Sequence, residues 1–113
     1  MTSGTGAVTF GGIIGGTTAL SSVTVNSAGT ISLNSVTTND NQSYTATTST
    51  TFSGADIKTD GDAIAGNLTV TGPAILGTGL TIDTDSTSDG NVSFSNTLDG
   101  TVADTQTLGI TAG

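Results

Sequence analysis

The sequence predicts an all-β fold, a right-handed parallel β-solenoid segment of about five coils. Three observations lead there. Apolar residues recur at spacing two in short bursts, the chain matches itself at an offset of 84 residues, and its hydrophobic side chains are too few and too small for a wide core. No stretch of helical length carries apolar residues at three-and-four spacing, and Thr, Ser, Gly and Asn make poor helix interiors.

Along the chain the bursts are Val8-Thr9-Phe10, Val23-Thr24-Val25, Ile31-Ser32-Leu33, Leu68-Thr69-Val70, Leu80-Thr81-Ile82 and Val92-Ser93-Phe94. Successive side chains of a strand point to opposite faces, so each burst places two hydrophobes in a core and one hydroxyl in solvent. Ser43 to Ala46 and Phe52 to Ile57 are weaker strands of the same kind. Turn formers separate them: Gly11-Gly12, Gly15-Gly16, Asn26 to Gly29, Asn39-Asp40-Asn41, Asp60-Gly61-Asp62, Gly77 to Gly79 and Asp89-Gly90-Asn91. Asn, Asp and Gly tolerate the backbone of tight turns, and Asx side chains close turns locally. Pro73, directly after Gly72, reads as a turn residue. Strong bursts near Val8, Ile31, Phe52, Leu68 to Ile75 and Val92 set a coil of roughly 20 residues.

The internal match relates Gly6–Gly29 to Gly90–Gly113, with eight identities in 24 ungapped positions, among them Val8/Val92, Phe10/Phe94, Gly16/Gly100 and Gly29/Gly113. Chance pairing in so biased a composition gives about three. The expected organisation is an N-terminal tail over 1–5, one full repeat unit of 84 residues over 6–89, and the start of a second unit over 90–113. Such a chain reads as a window on a longer array, with Met1 an added initiator, and arrays usually serve as scaffolds. An Ig-like β-sandwich repeat is the alternative fold, but a sandwich fills its interior with bulkier residues than Phe10, Tyr44, Phe52 and Phe94 alone provide. Disorder is the other alternative, since only 25 of 113 residues are Leu, Ile, Val or Phe. The regular alternation argues against it.

Nine Asp, a single cation (Lys58) and no Glu, Arg, His or Cys leave a net charge of −8. Phosphate backbones and anionic membrane surfaces both require Lys and Arg, so nucleic acid and membrane are not expected partners. No apolar run approaches the roughly 20 residues of a membrane span, and the first residues lack the basic and apolar regions of a signal peptide. Catalysis is not expected either. The available groups reduce to Asp, Ser, Tyr44 and Lys58, which lack the usual bases and thiol nucleophile.

The best chemical candidate is the acidic run holding Asp83, Asp85 and Asp89, whose oxygens could face one calcium ion. It departs from the helix-flanked calcium loop: Thr87 falls where Asp or Asn is wanted, Gly90 is displaced and no Glu closes the site. Asp60 and Asp62, with Asp56, form a smaller version, and Asn39-Asp40-Asn41 a smaller one still. Solvated turn residues explain all three as well. Lys58, flanked by Asp56 and Asp60, reads as a surface ion pair rather than an isopeptide donor. Stacked hydroxyls could form an ice- or carbohydrate-binding face, but the bursts offer only one outward hydroxyl each. N-x-[ST] triplets occur at Asn41, Asn67 and Asn91 and read as chance in a chain rich in Thr and Ser.

Val-Thr-Phe-x-Gly from Val8, followed by Leu-x-x-Val-Thr-Val-Asn from Leu20, together with Gly66 to Asp85, resembles the repeat regions of large bacterial surface and secreted adhesins. These are the filamentous-haemagglutinin-like and autotransporter-associated β-strand repeat proteins. The resemblance covers nearly the whole chain. It implies a parallel β-helical stalk, export as part of a larger protein to the cell surface or the extracellular space, and a part in attachment or matrix building. It supplies no site residues. The expected function is a non-catalytic fibre repeat that spaces a binding tip or associates end to end through open sheet edges. The alternative is a calcium-supported binding module contacting a glycan or host ligand.

Overall fold

The structure, a computed structural model, describes residues 1–27 and 29–113. Among these there is no helix, and the strands are β1 (Val8–Thr9), β2 (Val23–Ser27), β3 (Thr30–Leu33), β4 (Val36–Thr37), β5 (Gln42–Ala46), β6 (Ser49–Phe52), β7 (Asp56–Lys58), β8 (Leu68–Thr71), β9 (Ala74–Leu76), β10 (Leu80–Asp83), β11 (Val92–Phe94), β12 (Leu98–Gly100) and β13 (Leu108–Thr111). They form three sheets, and every strand pair is parallel. The first face holds β2, β5, β8 and β11; the second holds β1, β3, β6, β9 and β12; the third holds β4, β7, β10 and β13. Following the chain visits the three faces in turn and then climbs one level. That is the parallel β-solenoid the alternation predicted.

Four coils carry a strand on every face. Below them a looser first coil contributes β1 and the single bridges of Thr2 to Asn26, Ile14 to Val36 and Leu20 to Thr38. Coil length is uneven: on the first face Tyr44 follows its partner Val25 by 19 residues, Val70 follows Tyr44 by 26 and Phe94 follows Val70 by 24. The strands hold register while the corners absorb the difference.

The core is a set of columns running across the strands. Val25, Tyr44, Val70 and Phe94 stack inside the first face. Leu33, Phe52 and Leu76 stack inside the second, and Val36, Ile57, Ile82 and Ile110 inside the third. Most of these are buried completely. Each such aliphatic side chain is worth about 1.5–3 kcal/mol of burial, so small residues suffice when every one meets its like above and below. Phe94 meets Phe52 edge-on, with ring centroids 6.4 Å apart.

Two of the buried polar side chains bear directly on stability. Gln42 lies fully buried between Val23 and Leu68. Its amide nitrogen donates to the Lys58 carbonyl at 2.7 Å and the Thr38 hydroxyl at 3.2 Å, and its oxygen accepts from the Tyr44 hydroxyl at 2.8 Å. Burial pushes the Tyr44 phenol well above its ordinary range, which keeps it a donor. Thr50, between Ile31 and Ala74, is the opposite case: its buried hydroxyl has no partner among the described residues. Thr50→Val keeps the shape and removes the orphaned group, so it is expected to raise stability by about 1 kcal/mol. The check is a higher urea midpoint at unchanged slope.

Several sequence-level readings shift. The weak strand over Phe52 to Ile57 is two strands: Phe52 closes β6, Ile57 lies in β7, and a corner at Ser53–Ala55 separates them. The 84-residue match relates segments on different faces, since Val8 belongs to the second face and Val92 to the first. Counted along the ladder, Val8 leads to Ile31, Thr50, Ala74 and Leu98.

Candidate functional site

The most elaborated part of the molecule is the corner where the third face hands the chain to the first. In three successive coils it begins with a threonine, Thr38, Thr59 and Thr84, all fully buried. A hydroxyl in that position needs an acceptor, and each finds one across the mouth of its own loop. Thr38 donates to the Asp40 carbonyl at 2.5 Å, Thr59 to Gly66 at 2.5 Å and Thr84 to Gly90 at 2.9 Å. The amides of Gly66 and Gly90 return the bond to the Thr59 and Thr84 carbonyls at 2.9 and 2.8 Å. Two reciprocal bonds thus close each of the longer loops at its neck. Both glycines are required by space, because a Cβ at Gly66 would meet the Asp40–Asn41 backbone and one at Gly90 the Gly66 carbonyl.

An asparagine follows immediately. The Asn41 side-chain oxygen accepts from the Asn67 backbone amide at 2.8 Å and the Asn67 side-chain amide at 3.1 Å. Asn67 does the same for Asn91, at 2.8 and 3.1 Å. The three N-x-[ST] triplets are therefore rungs of an asparagine ladder. The middle residue of each points inward (Gln42, Leu68, Val92) and the hydroxyl outward.

The corner also collects the acidic candidates. Asp60 and Asp62 lie in the loop after Thr59, Asp85 and Asp89 in the loop after Thr84, and Asp83 ends β10 just before it. The loops stack: Ser86 donates to the Asp62 carbonyl at 2.8 Å, and the Ala65 amide to the Ser88 carbonyl at 2.8 Å. Two separate sequence candidates thus become neighbours. Loss of water, a hydrogen bond to Asp89, and the charges of Asp89, Asp83 and Asp60 hold the Asp85 carboxyl above the usual aspartate range.

Two of the carboxylates serve their own loops. The Asp62 side chain accepts from the Ile64 amide at 2.9 Å and that of Asp83 from the Asp85 amide at 3.2 Å, each closing a turn. Among the described residues no group of three acidic side chains is arranged to hold a metal ion. Asp40 and Asp62, with Ser21, Asn39 and the exposed Ile64, line a surface depression of about 280 Å³. Lys58 and Asp56 stand apart on the third face, where Lys58 lies in register with Thr37 below and Asp83 above.

Sequence reading missed the ladder although its signal was present: Asp40-Asn41, Gly66-Asn67 and Gly90-Asn91 each precede an inward residue and an outward hydroxyl. Uneven loop lengths hide the period. Compared with family profiles, with curated proteins and with solved structures, the chain gives no match.

Proposed function

We propose that the chain is a structural segment of an extracellular fibre, a stalk or matrix repeat of the exported bacterial adhesin kind that performs no chemistry. The observation that carries this reading is the last coil. Leu68, Val70 and Ile82 are completely buried, yet their partners one level up are not: Val92 and Phe94 are half-buried and Ile110 is 48 % exposed. Leu108 is 38 % exposed and, with Leu76, Leu98 and Val102, lines a cavity of about 310 Å³ beneath the loop before β13. Strands β11, β12 and β13 each end their sheet. A further coil would cover these side chains and pair these edges, and each aliphatic side chain covered is worth about 1.5–3 kcal/mol at full burial. The acidic corner favours solubility of a fibre built this way.

Solution X-ray scattering over a concentration series tests the reading. Particles that lengthen with concentration at constant cross-section are expected, with the same curve in calcium and in chelator. A compact monomer at every concentration overturns it, as does a particle that loosens when calcium is removed.

A further inference from the structure

The three faces differ on their outer sides. On the first, the outward positions of β2, β5, β8 and β11 form two columns. Thr24, Ser43, Thr69 and Ser93 stand in register in one, and Asn26, Thr45 and Thr71 in the other. Ser95 extends the second column, because its amide continues the ladder to the Val70 carbonyl at 3.0 Å. Five of the eight side chains are exposed, and Ser43, Thr45 and Thr69 are half-buried. The other faces break any such pattern. The second carries Ile75 and Asp99 outward beside Ser32 and Thr51, and the third carries Asp56, Lys58 and Asp83.

Parallel strands lie about 4.8 Å apart and alternate residues about 6.6 Å apart, so the first face is a neutral grid with two fixed spacings. The bursts read in sequence assign one outward hydroxyl to each strand. The structure supplies two, because β2 and β5 run five residues and β8 four. The grid is held stiffly: buried columns lie directly beneath it, and threonine has few side-chain rotamers to lose.

We propose that this outer face of the first sheet is an ice-binding surface. A soluble glycan is normally gripped by a concave site with aromatic walls. Here Tyr44 and Phe52 are buried and Phe10 and Phe94 pack on the core. A protein partner would want a cluster of large aromatic or Arg anchors, and the grid has none. In liquid water a surface hydroxyl gains little from one more hydrogen bond. An array gains only against a solid that repeats its own hydrogen-bonding groups at fixed intervals, where many weak contacts are made together. Ice is such a solid, and it is uncharged like the face. This proposal stands apart from the fibre reading, which concerns the ends of the solenoid and not its sides.

The test is arrest of ice recrystallisation by the full chain, with adsorption to a single ice crystal as a second readout. Three proteins are compared: the unaltered chain, the grid variant T45K/T69K, and T81K, whose lysine lies on the third face where Thr81 is exposed. Circular dichroism and the urea midpoint establish that all three fold alike. The unaltered chain and T81K are expected to arrest grain growth and to coat particular crystal planes, and the grid variant to lose both effects. Failure of the unaltered chain to arrest growth overturns the proposal. So does equal loss in T81K, and so does retention on powdered chitin or cellulose with no effect on ice.

Discussion

Replacing Gly72 by alanine is expected to lower stability by about 3–4 kcal/mol, a large part of the total for a domain of this size. Two costs combine. Gly72 sits at φ +98°, where a side chain is strained by about 1–3 kcal/mol. A Cβ there would also run into the Ala46 carbonyl oxygen in the coil below. That oxygen belongs to the backbone at the end of β5, so it moves only if the corner between the first and second faces opens. Gly11→Ala is the matching control. Nothing lies within 4 Å of the position its Cβ would take, so a change within about 0.5 kcal/mol is expected. Urea midpoints of the two variants decide the matter, and equal midpoints would sink the argument from close packing of coils.

Truncating Tyr44 to alanine is expected to cost about 3–5 kcal/mol, because it empties the largest fully buried position. The finer series separates packing from hydrogen bonding. Tyr44→Phe leaves the Gln42 oxygen without its donor and should cost about 1–3 kcal/mol. Gln42→Leu orphans the Tyr44 hydroxyl and the acceptors of the amide, with a loss of similar size. The double variant removes both partners, and its leucine continues the column from Val23 to Leu68. It is expected to recover most of the loss, so the two single effects must not add. Strict additivity would mean that the buried network contributes nothing as a unit. The phenol adds a pH signature: its pKa is raised in the fold, so stability holds below the unfolded-state value near pH 10 and declines above it.

Much of the fold was legible because parallel columns impose a local rule. Val23-Thr24-Val25, Ile31-Ser32-Leu33 and Leu80-Thr81-Ile82 alternate in sequence just as they alternate in burial. Hydrophobicity alone does not reveal Thr50, Gln42 or Ser27, which take inward positions beside apolar partners. Short strands such as β4 and β12 show too few alternations to stand out, and β6 is almost wholly Thr and Ser. The corner was legible in its parts only. The asparagines, glycines and aspartates were each visible, but their stacking depends on loops that differ in length, and sequence spacing carries no information about that. The outward grid was obscured for a related reason, since Asn26, Thr71 and Ser95 lie just beyond the ends of the bursts and Thr45 lies in a weaker strand.

The asparagine ladder has a direction. Asn41 offers its oxygen to Asn67, and Asn67 offers its own to Asn91, always toward the coil that follows. A stack of such coils therefore has a front and a back that differ chemically, with carbonyl acceptors at the leading end and amide donors at the trailing one. Two copies cannot meet front to front and keep the pattern. Any assembly that preserves the ladder is a polar filament, in which every subunit points the same way and the two tips grow by different reactions.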